Sequence, residues 1–332
     1  MSDTPTVFLA GRMSAPWKGW LPERLESDWT MLCWTEEEGS ARFAELLPQA
    51  DAVVGGRLGA ADWPAAPKLK LYQIPFTGYD WLTPADVPVG CTVCNAYEHE
   101  IAIAEYVFAA LLDWEIGLSG ASRRFRTHGW EGRTPGIGAN HGEVYGKTLG
   151  IVGYGHIGRE TAARAAAFGM RTIAVSRTAR PAPAPRDWLK SMEALNELLA
   201  ESDYVLLALP LNHETRGLID ADRLACMKDT GVLINVARGE VVDEEALYHA
   251  LAEKRIGGAV IDVWYQYPTT EEPDRPPSRF PFQDLENLIM SPHNSARSGA
   301  ARERRWGVVA RNLDRLAKGE ALENVCFSGE RA

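Results

Sequence analysis

The chain of 332 residues is longer than one hydrophobic core usually supports, so its length predicts two domains. Its composition, 45% hydrophobic and 24% charged, is typical of a globular protein, and no apolar run approaches the ~20 residues that span a bilayer. The formal net charge of −10 argues against nucleic acid and anionic membranes as partners, because both are negatively charged. A small anionic substrate stays compatible, since a few arginines in a site outweigh distant surface charge.

The first hundred residues alternate short apolar runs with helical patterns. Strands are predicted at residues 6–10, 52–55, 70–74 and 92–95, and helices at residues 41–47 and 101–118. Because strands separated by helices form βαβ units, this segment predicts a parallel sheet. The stretch 123–146 is rich in Gly, Arg and His without periodicity, and it is predicted to be a loop arm or a contact with a partner.

The cysteines and the first residues predict a cytoplasmic protein. Five cysteines in a long chain are typical of reduced thiols. Cys91 and Cys94 form a C-x-x-C pattern, but a strand-like setting and the lack of a second pair nearby argue against a metal or redox site. The apolar run that begins at Val7 has no basic residues before it, so no secretory signal is predicted.

A second series of βα units begins at residue 148. Strands are predicted at residues 149–153, 171–175, 204–208, 232–235, 259–262 and 288–290, and helices at 158–168 and about 300–318. The proline-containing segments 180–186 and 265–283 are predicted to be loops. The alternation of strands and helices predicts an α/β protein.

A glycine motif lies between the first strand and the first helix of this second series. Gly153 permits a tight turn, Gly155 lets the backbone approach a pyrophosphate, and Gly158 packs the helix on the sheet. The helix N-terminus adds N–H groups and a partial positive charge. The alternative is a tight turn without a ligand. The predicted phosphate-binding residues are Gly153, Tyr154, Gly155, His156, Ile157 and Gly158.

The residues after the next strand favour NADP over NAD. NAD-dependent enzymes place an acidic residue there to bind the adenosine ribose, whereas this chain has Ser176 and Arg177, followed by Thr178 and Arg180. Without a carboxylate a 2′-phosphate is not repelled, and serine, threonine and arginine side chains bind phosphate. We predict NADP as the cofactor, with NAD as the alternative if these arginines are only solvated.

An arginine, an aspartate and a histidine end three later strands. Arg238 follows Val236 and Ala237, Asp262 ends the next strand, and His293 follows the last one. Ligands of open α/β sheets bind at this carboxyl edge. Arginine binds a carboxylate with two hydrogen bonds, and histidine transfers a proton near neutral pH. The combination predicts hydride transfer on a substrate that carries a carboxylate.

With these motifs the chain resembles the D-isomer-specific 2-hydroxyacid dehydrogenases over nearly its whole length. The matching segments are residues 76–80 (Phe-Thr-Gly-Tyr-Asp), Asn95, Ala104-Glu105, Leu209-Pro210-Leu211 with Thr215, and Pro292-His293. The resemblance implies a flavodoxin-like substrate-binding domain, residues 1–100 plus 297–332, and a Rossmann dinucleotide-binding domain, residues 101–296. Both would contain doubly wound parallel sheets, and the chain would form a homodimer.

The resemblance also implies roles for individual residues. Arg238 would bind the substrate carboxylate and polarise the keto oxygen, and His293 would protonate that oxygen during reduction. The substrate, a small anionic 2-oxoacid, would also contact Thr77, Gly78 and Asn95, with its carboxylate on the backbone of Thr77 and Gly78. Asp262 would hold the nicotinamide carboxamide. The other residues implied on the cofactor side are Leu209, Pro210, Thr215, Val236 and Ala237.

One position departs from the family. A glutamate that normally precedes a proline and binds the histidine is replaced by Tyr267, before Pro268. A carboxylate favours the imidazolium, whereas a neutral phenol adds no charge. Either Tyr267 orients His293 as a neutral partner, which the fixed spacing favours, or Glu271 or Glu272 supplies the charge.

The missing glutamate keeps two other functions open. Formate dehydrogenases resemble the family and carry glutamine there. Phosphite dehydrogenases are a weaker alternative, because they carry a lysine where this chain has Thr77, so the extra positive charge for a dianionic substrate is absent. A dinucleotide-sensing scaffold without catalysis is the alternative outside enzymes.

Aromatic residues are numerous near the predicted site and have two possible roles. They form either a pocket for a larger 2-oxoacid or packing contacts, and they are Trp264, Tyr265, Tyr267 and Tyr79.

Overall fold

A computed structural model describes residues 4–56, 58, 66–130, 140–177, 187–269 and 271–331. The chain divides into two compact units, Met1–His99 with Gly299–Ala332, and Glu100–Ser298. We call them the terminal unit and the central unit. In the described part of the chain, no helix combines the length and apolar character needed to cross a membrane.

Each unit contains one sheet. The strands of the described residues are β1 Thr6–Ala10, β2 Thr30–Trp34, β3 Ala52–Gly55, β4 Leu71–Gln73, β5 Thr92–Cys94, β6 Thr148–Val152, β7 Arg171–Val175, β8 Trp188–Lys190, β9 Tyr204–Leu207, β10 Val232–Asn235, β11 Gly258–Ile261, β12 Leu288–Met290 and β13 Val325–Ser328. The helices are α1 Gly39–Leu46, α2 Glu100–Ile116, α3 Leu118–His128, α4 His156–Ala167, α5 Leu195–Glu201, α6 Ala221–Ala225, α7 Glu244–Ala252 and α8 Gly299–Lys318.

The terminal unit has the strand order β13-β5-β4-β3-β1-β2, and all its strand pairs are parallel except β13 with β5. Both faces of this sheet are covered. Phe8, Val53 and Tyr72 belong to one buried cluster, and Trp306 of α8 belongs to the cluster that contains Val7. Burial on both faces explains why these strands are continuous apolar runs.

The central unit has the order β12-β11-β10-β9-β6-β7-β8, with all neighbouring pairs parallel. The strand order reverses between β6 and β9, so the carboxyl ends of these strands flank a topological switch point. The predicted α/β class with two doubly wound parallel sheets is confirmed, with β13 as the antiparallel exception.

The prediction of an irregular arm from residue 123 is wrong for its first part. Residues 118–128 form α3, which is separated from α2 by Gly117 at a left-handed φ of 65°. None of the residues of α3 is buried, so the helix lacks the apolar periodicity by which buried helices are recognised. The predicted helix 101–118 therefore consists of α2 and the start of α3. Residues 131–139 of the predicted arm lie outside the described residues.

The two cysteines of the C-x-x-C pattern lie at the start and the end of the β5 region, and both are fully buried. Burial raises the pKa of the Cys91 thiol and of the Cys94 thiol to about 12, because the interior disfavours the thiolate. Since the thiolate is the reactive form, these two side chains act as small core residues.

Candidate functional site

The turn between β6 and α4 has the geometry that the glycine motif predicts. Gly153 adopts φ +99°, and a Cβ there would lie 2.4 Å from the Ala208 carbonyl oxygen. A Cβ on Gly158 would lie 2.5 Å from the Gly153 carbonyl oxygen. At Gly155, the residue before α4, a Cβ would meet no atom within 4 Å. The turn is thus closed towards the sheet and open beyond the helix N-terminus, as a phosphate-binding turn requires.

The other residues of this motif flank that opening. Gly155 and His156 are exposed, whereas Tyr154 and Ile157 are half-buried against the core under the sheet. The N–H groups of the first turn of a helix have no partners within the helix, so they point towards the open side of Gly155. A dinucleotide pyrophosphate fits this donor set.

Ser176 and Arg177 follow the end of β7. The Ser176 N–H donates to the Lys190 carbonyl at 3.1 Å, which ties this loop to the end of β8. Ser176 is half-buried and Arg177 is exposed, so the arginine side chain is accessible to a ligand. Thr178 and Arg180, which were predicted to share this role, lie outside the described residues.

The predicted residues beyond β9 form a compact turn. The Thr215 hydroxyl donates to the Pro210 carbonyl at 2.7 Å and accepts from the Asn212 N–H at 2.8 Å. Thr215 is buried, and Leu209 and Pro210 lie at the start of the same turn. These hydrogen bonds show that the Thr215 hydroxyl shapes the turn. Leu209 is half-buried and Pro210 is exposed, and they remain predicted contacts of the cofactor.

Three predicted catalytic residues lie together at the carboxyl edge of the central sheet. Arg238 follows β10 and the buried residues Val236 and Ala237. The Tyr267 hydroxyl lies 3.0 Å from Nδ1 of His293 and accepts a hydrogen bond from the Trp264 N–H at 3.1 Å. Burial raises the pKa of Tyr267 above its ordinary value, while the nearby Arg238 charge lowers it. The phenol is therefore a neutral partner of His293 at physiological pH.

The acidic alternatives to Tyr267 have other surroundings. Glu272 lies 3.5 Å from the Arg275 guanidinium, and its N–H donates to the Thr269 hydroxyl at 3.0 Å. Glu271 is exposed. The contact of 3.0 Å between the Tyr267 hydroxyl and Nδ1 of His293 favours the first of the two interpretations, in which Tyr267 orients the histidine.

Asp262 follows β11 and is fully buried. Its Oδ1 accepts hydrogen bonds from the Ser291 hydroxyl and, at 2.9 Å, from the Asn294 N–H. Its Oδ2 accepts from the Ser295 N–H at 3.0 Å. The carboxylate therefore binds the segment that carries His293, a contact that sequence reasoning did not predict when it assigned Asp262 to the nicotinamide carboxamide.

In the terminal unit, the loop after β4 carries Thr77 and Gly78. The Thr77 carbonyl accepts from Asn95 Nδ2 at 2.8 Å, and the Thr77 hydroxyl donates to the Ala96 carbonyl at 2.9 Å. Because its own proton is used, that hydroxyl accepts from a ring nitrogen of the buried His99 at 3.2 Å. The side chain of Asn95 is buried, and its Oδ1 has no partner among the described residues. The loop is thus held rigidly at the end of the sheet.

His99 and Tyr106 are residues near these sites that sequence reasoning missed. His99 contacts the Thr77 loop, and the Tyr106 hydroxyl lies 2.6 Å from Oγ of Ser291. A histidine four residues after Asn95 was the signal that the sequence offered for the first. For Tyr106, a tyrosine within the apolar helix α2, the sequence contains no such signal.

The aromatic residues after β11 pack the core of the central unit. Trp264 is 5% exposed, and its ring centre lies 6.0 Å from that of Phe282. Tyr265 stacks on the same phenylalanine at 6.5 Å. Tyr267, which is 40% exposed, is the member of this group in the central unit that is open to a ligand.

The chain is similar to known proteins over most of its length. Residues 108–295 match the family model described as "D-isomer specific 2-hydroxyacid dehydrogenase, NAD binding domain". The chain is 35% identical over 310 residues to a glyoxylate reductase of Thermococcus kodakarensis, with 90% of each chain covered. A crystal structure of a family protein from Aeromonas salmonicida superposes with a TM-score of 0.82 at 26% identity, over 98% of this chain and 99% of that one.

A second solved structure carries a more specific description. It is an NADPH-dependent glyoxylate/hydroxypyruvate reductase from Sinorhizobium meliloti in complex with citrate. The TM-score is 0.79 at 25% identity, with 99% of each chain covered.

Proposed function

The chain belongs to the D-isomer-specific 2-hydroxyacid dehydrogenase family, and we propose that it is an NADPH-preferring reductase of small 2-oxoacids. It is an oxidoreductase that acts by hydride transfer, as its family is. The observation that carries the proposal is the group formed by Arg238, Tyr267 and His293 at the carboxyl edge of the sheet that also carries the glycine turn. The names of the similar reductases, which specify glyoxylate and hydroxypyruvate, support a small substrate.

In the proposed mechanism each of the three residues has a separate task. A bound nicotinamide dinucleotide supplies the hydride. Arg238 binds the substrate carboxylate and polarises the keto oxygen, because its guanidinium donates several hydrogen bonds in a fixed plane. His293 gives its proton to the oxygen that becomes the hydroxyl, and Tyr267 holds the imidazole through Nδ1. In the terminal unit, the N–H groups of Thr77 and Gly78 are proposed donors to the substrate carboxylate.

The direct test is a panel of 2-oxoacids with NADPH and with NADH. We expect oxidation of NADPH with glyoxylate and hydroxypyruvate, followed by absorbance at the nicotinamide band. No activity with any 2-oxoacid, including bulkier ones, contradicts the proposal and favours a dinucleotide-binding scaffold. Oxidation of formate in the reverse assay favours a formate-dehydrogenase-like function instead.

The choice of cofactor depends on Ser176 and Arg177. We expect the Kd for NADPH to be lower than that for NADH, and Ser176→Asp to weaken NADPH binding about tenfold or more, because a carboxylate repels the 2′-phosphate. The same change leaves NADH binding unchanged or improves it, since aspartate accepts hydrogen bonds from the ribose hydroxyls. Quenching of protein fluorescence measures both constants. Tighter binding of NADH by the unchanged protein refutes the preference.

The phenol at position 267 sets the pH dependence of reduction. Reduction requires a protonated histidine, so kcat/KM declines as pH rises through the histidine pKa. Tyr267→Glu introduces a carboxylate that favours the imidazolium, and we expect the decline to move to higher pH by about one unit or more. Tyr267→Phe and Glu271→Gln are the controls. The assignment is wrong if Glu271→Gln moves the profile and Tyr267→Glu does not.

We propose that α3 mediates formation of a homodimer. An isolated helix of this length is marginally stable in water, and α3 has no buried residues. Leu118, Phe125 and Trp130 are 66%, 52% and 61% exposed, and the last two rings are in edge contact at 5.1 Å. A second copy of the chain would cover these side chains.

The five cysteines are free thiols, which supports a reducing compartment such as the cytoplasm.

Phe125→Arg is expected to convert this dimer to a monomer, because a charge cannot be buried against an apolar surface without a partner. Size-exclusion chromatography with light scattering gives the mass of the particle. Met13→Arg is the control. Met13 is also an exposed apolar residue, but it lies in the terminal unit, and its replacement should leave the mass of the particle unchanged. A monomeric unchanged protein contradicts the dimer itself.

A further inference from the structure

A chain of hydrogen bonds connects helix α2 to the segment that carries His293. The Tyr106 hydroxyl lies 2.6 Å from Ser291 Oγ, and Ser291 Oγ contacts Oδ1 of Asp262. A carboxylate accepts and does not donate, so the single proton of the Ser291 hydroxyl goes to Asp262. The Tyr106 hydroxyl must therefore donate to Ser291. The order of donation is Tyr106 to Ser291 to Asp262.

Hydrogen bonds at the Asp262 end of this network hold the backbone on both sides of His293. Asp262 accepts from the N–H groups of Asn294 and Ser295, the two residues that follow the histidine. On the other side, the Ser291 carbonyl accepts from Trp264 Nε1 at 2.8 Å. His293 itself has φ +53°, a left-handed conformation that residues with a side chain rarely adopt. The hydrogen bonds around it maintain this strained backbone.

Tyr106 lies on a helix, whereas the other two side chains of the network follow strands of the sheet. Asp262 and Ser291 lie at the ends of neighbouring strands β11 and β12, whereas Tyr106 projects from α2. The side chain is half-buried, and burial raises the pKa of the phenol above its ordinary value. The hydroxyl is therefore a neutral donor throughout the pH range in which histidine titrates. A phenylalanine would fill the same space and leave Ser291 Oγ without its donor.

We propose that Tyr106 is a positioning residue for His293, acting through Ser291 and Asp262. The inference rests on the proposed function, since it assumes that His293 is the proton donor of a 2-oxoacid reductase. In this proposal Tyr106 acts on His293 through other side chains and not on the substrate. It fixes the rotamer of Ser291 and so the geometry of the carboxylate that binds Asn294 and Ser295. Loss of the hydroxyl frees that segment and lets the imidazole leave its productive orientation.

The kinetic test compares Tyr106→Phe with the unchanged protein. We expect kcat for glyoxylate reduction to fall about fivefold, the effect of one net hydrogen bond, with the KM for NADPH unchanged. Ser291→Ala should have a similar or larger effect, and the double variant should be no worse than Ser291→Ala, because the two groups act in one chain. Ser291→Thr keeps the hydroxyl and should restore most of the rate. Additive effects of Tyr106→Phe and Ser291→Ala overturn the proposal.

A second measurement does not depend on activity. The imidazole signal of His293, assigned with His293→Gln, is followed by NMR as a function of pH in the protein without cofactor. We expect Tyr106→Phe to shift or broaden this signal. Tyr204→Phe is the matched control, since it removes a buried tyrosine hydroxyl that contacts Glu115, and it should leave the signal in place.

The two measurements separate the possible failures. If the protein is inactive on every 2-oxoacid but Tyr106→Phe still moves the His293 signal, the proposed function is wrong and the positioning role is retained. An active protein in which Tyr106→Phe changes neither kcat nor the signal disproves the positioning role alone. Equal changes in the signal for Tyr106→Phe and Tyr204→Phe indicate general loosening of the central unit and also disprove it.

Discussion

Replacing Arg238 with alanine is expected to lower kcat/KM for 2-oxoacid reduction about 10³-fold, since it removes the charged group that is proposed to bind the substrate carboxylate by hydrogen bonds. The guanidinium is half-buried and donates to the Ala237 carbonyl at 2.8 Å, and the Arg238 carbonyl accepts from Asn235 Nδ2 at 2.9 Å. A side chain held in this way loses little entropy when it binds a carboxylate with two hydrogen bonds. The loss should appear in both kcat and KM, because in the proposed mechanism the same group binds the carboxylate and polarises the keto oxygen.

Three controls define the role of the guanidinium. Arg238→Lys keeps the charge without the planar pair of donors, and we expect it to recover only part of the lost activity. Added guanidine should raise the rate of Arg238→Ala and leave that of Arg238→Lys unchanged. Arg255→Ala removes an exposed arginine 3.1 Å from Glu253 and should have no effect. If Arg238→Ala retains more than about a tenth of kcat/KM, the arginine does not bind the carboxylate.

The buried strands of both sheets could be predicted from the sequence because burial on two faces makes them continuous apolar runs. Strands β1, β3, β7, β10 and β12 have the predicted bounds. Strand β2 was missed, since it is an edge strand whose residues are only half-buried or exposed. Strand β13 was missed as well, because its partner β5 lies more than 200 residues earlier in the chain and no local pattern specifies that pairing. Helix α3 was missed because none of its residues is buried, so its sequence contains no apolar stripe that faces the core.

The candidate site divides in the same way between local and distant determinants. The conformation of Gly153 and the packing of Gly158 follow from contacts within one βα turn, so their pattern in the sequence was sufficient. Whether Tyr267 or a nearby glutamate meets His293 depends on how a long loop folds back, and the 3.0 Å contact with tyrosine arises only in the folded structure. Tyr106 reaches Ser291 across 185 residues of sequence, a distance at which a single tyrosine carries no signal.

His293→Gln is expected to lower kcat for 2-oxoacid reduction by about 10²- to 10⁴-fold, the usual contribution of a general acid. Glutamine keeps an amide that can donate a hydrogen bond but has no proton to transfer near neutral pH. We expect the KM for NADPH to change little, because the glycine turn and Ser176 follow β6 and β7, whereas His293 follows β12 at the opposite end of the strand order. Steady-state kinetics under saturating NADPH measures kcat, and circular dichroism checks that the variant is folded.

The pH profile of this variant distinguishes proton transfer from simple binding. If His293 is the acid, the rate that remains in His293→Gln should no longer decline at the pH where the unchanged protein declines, since the titrating group is gone. Tyr267→Glu should then have no effect on the profile when it is combined with His293→Gln, although it shifts the profile of the parent. A decline that persists at the same pH in His293→Gln means that another group donates the proton, and the roles of both His293 and Tyr267 would have to be reassigned.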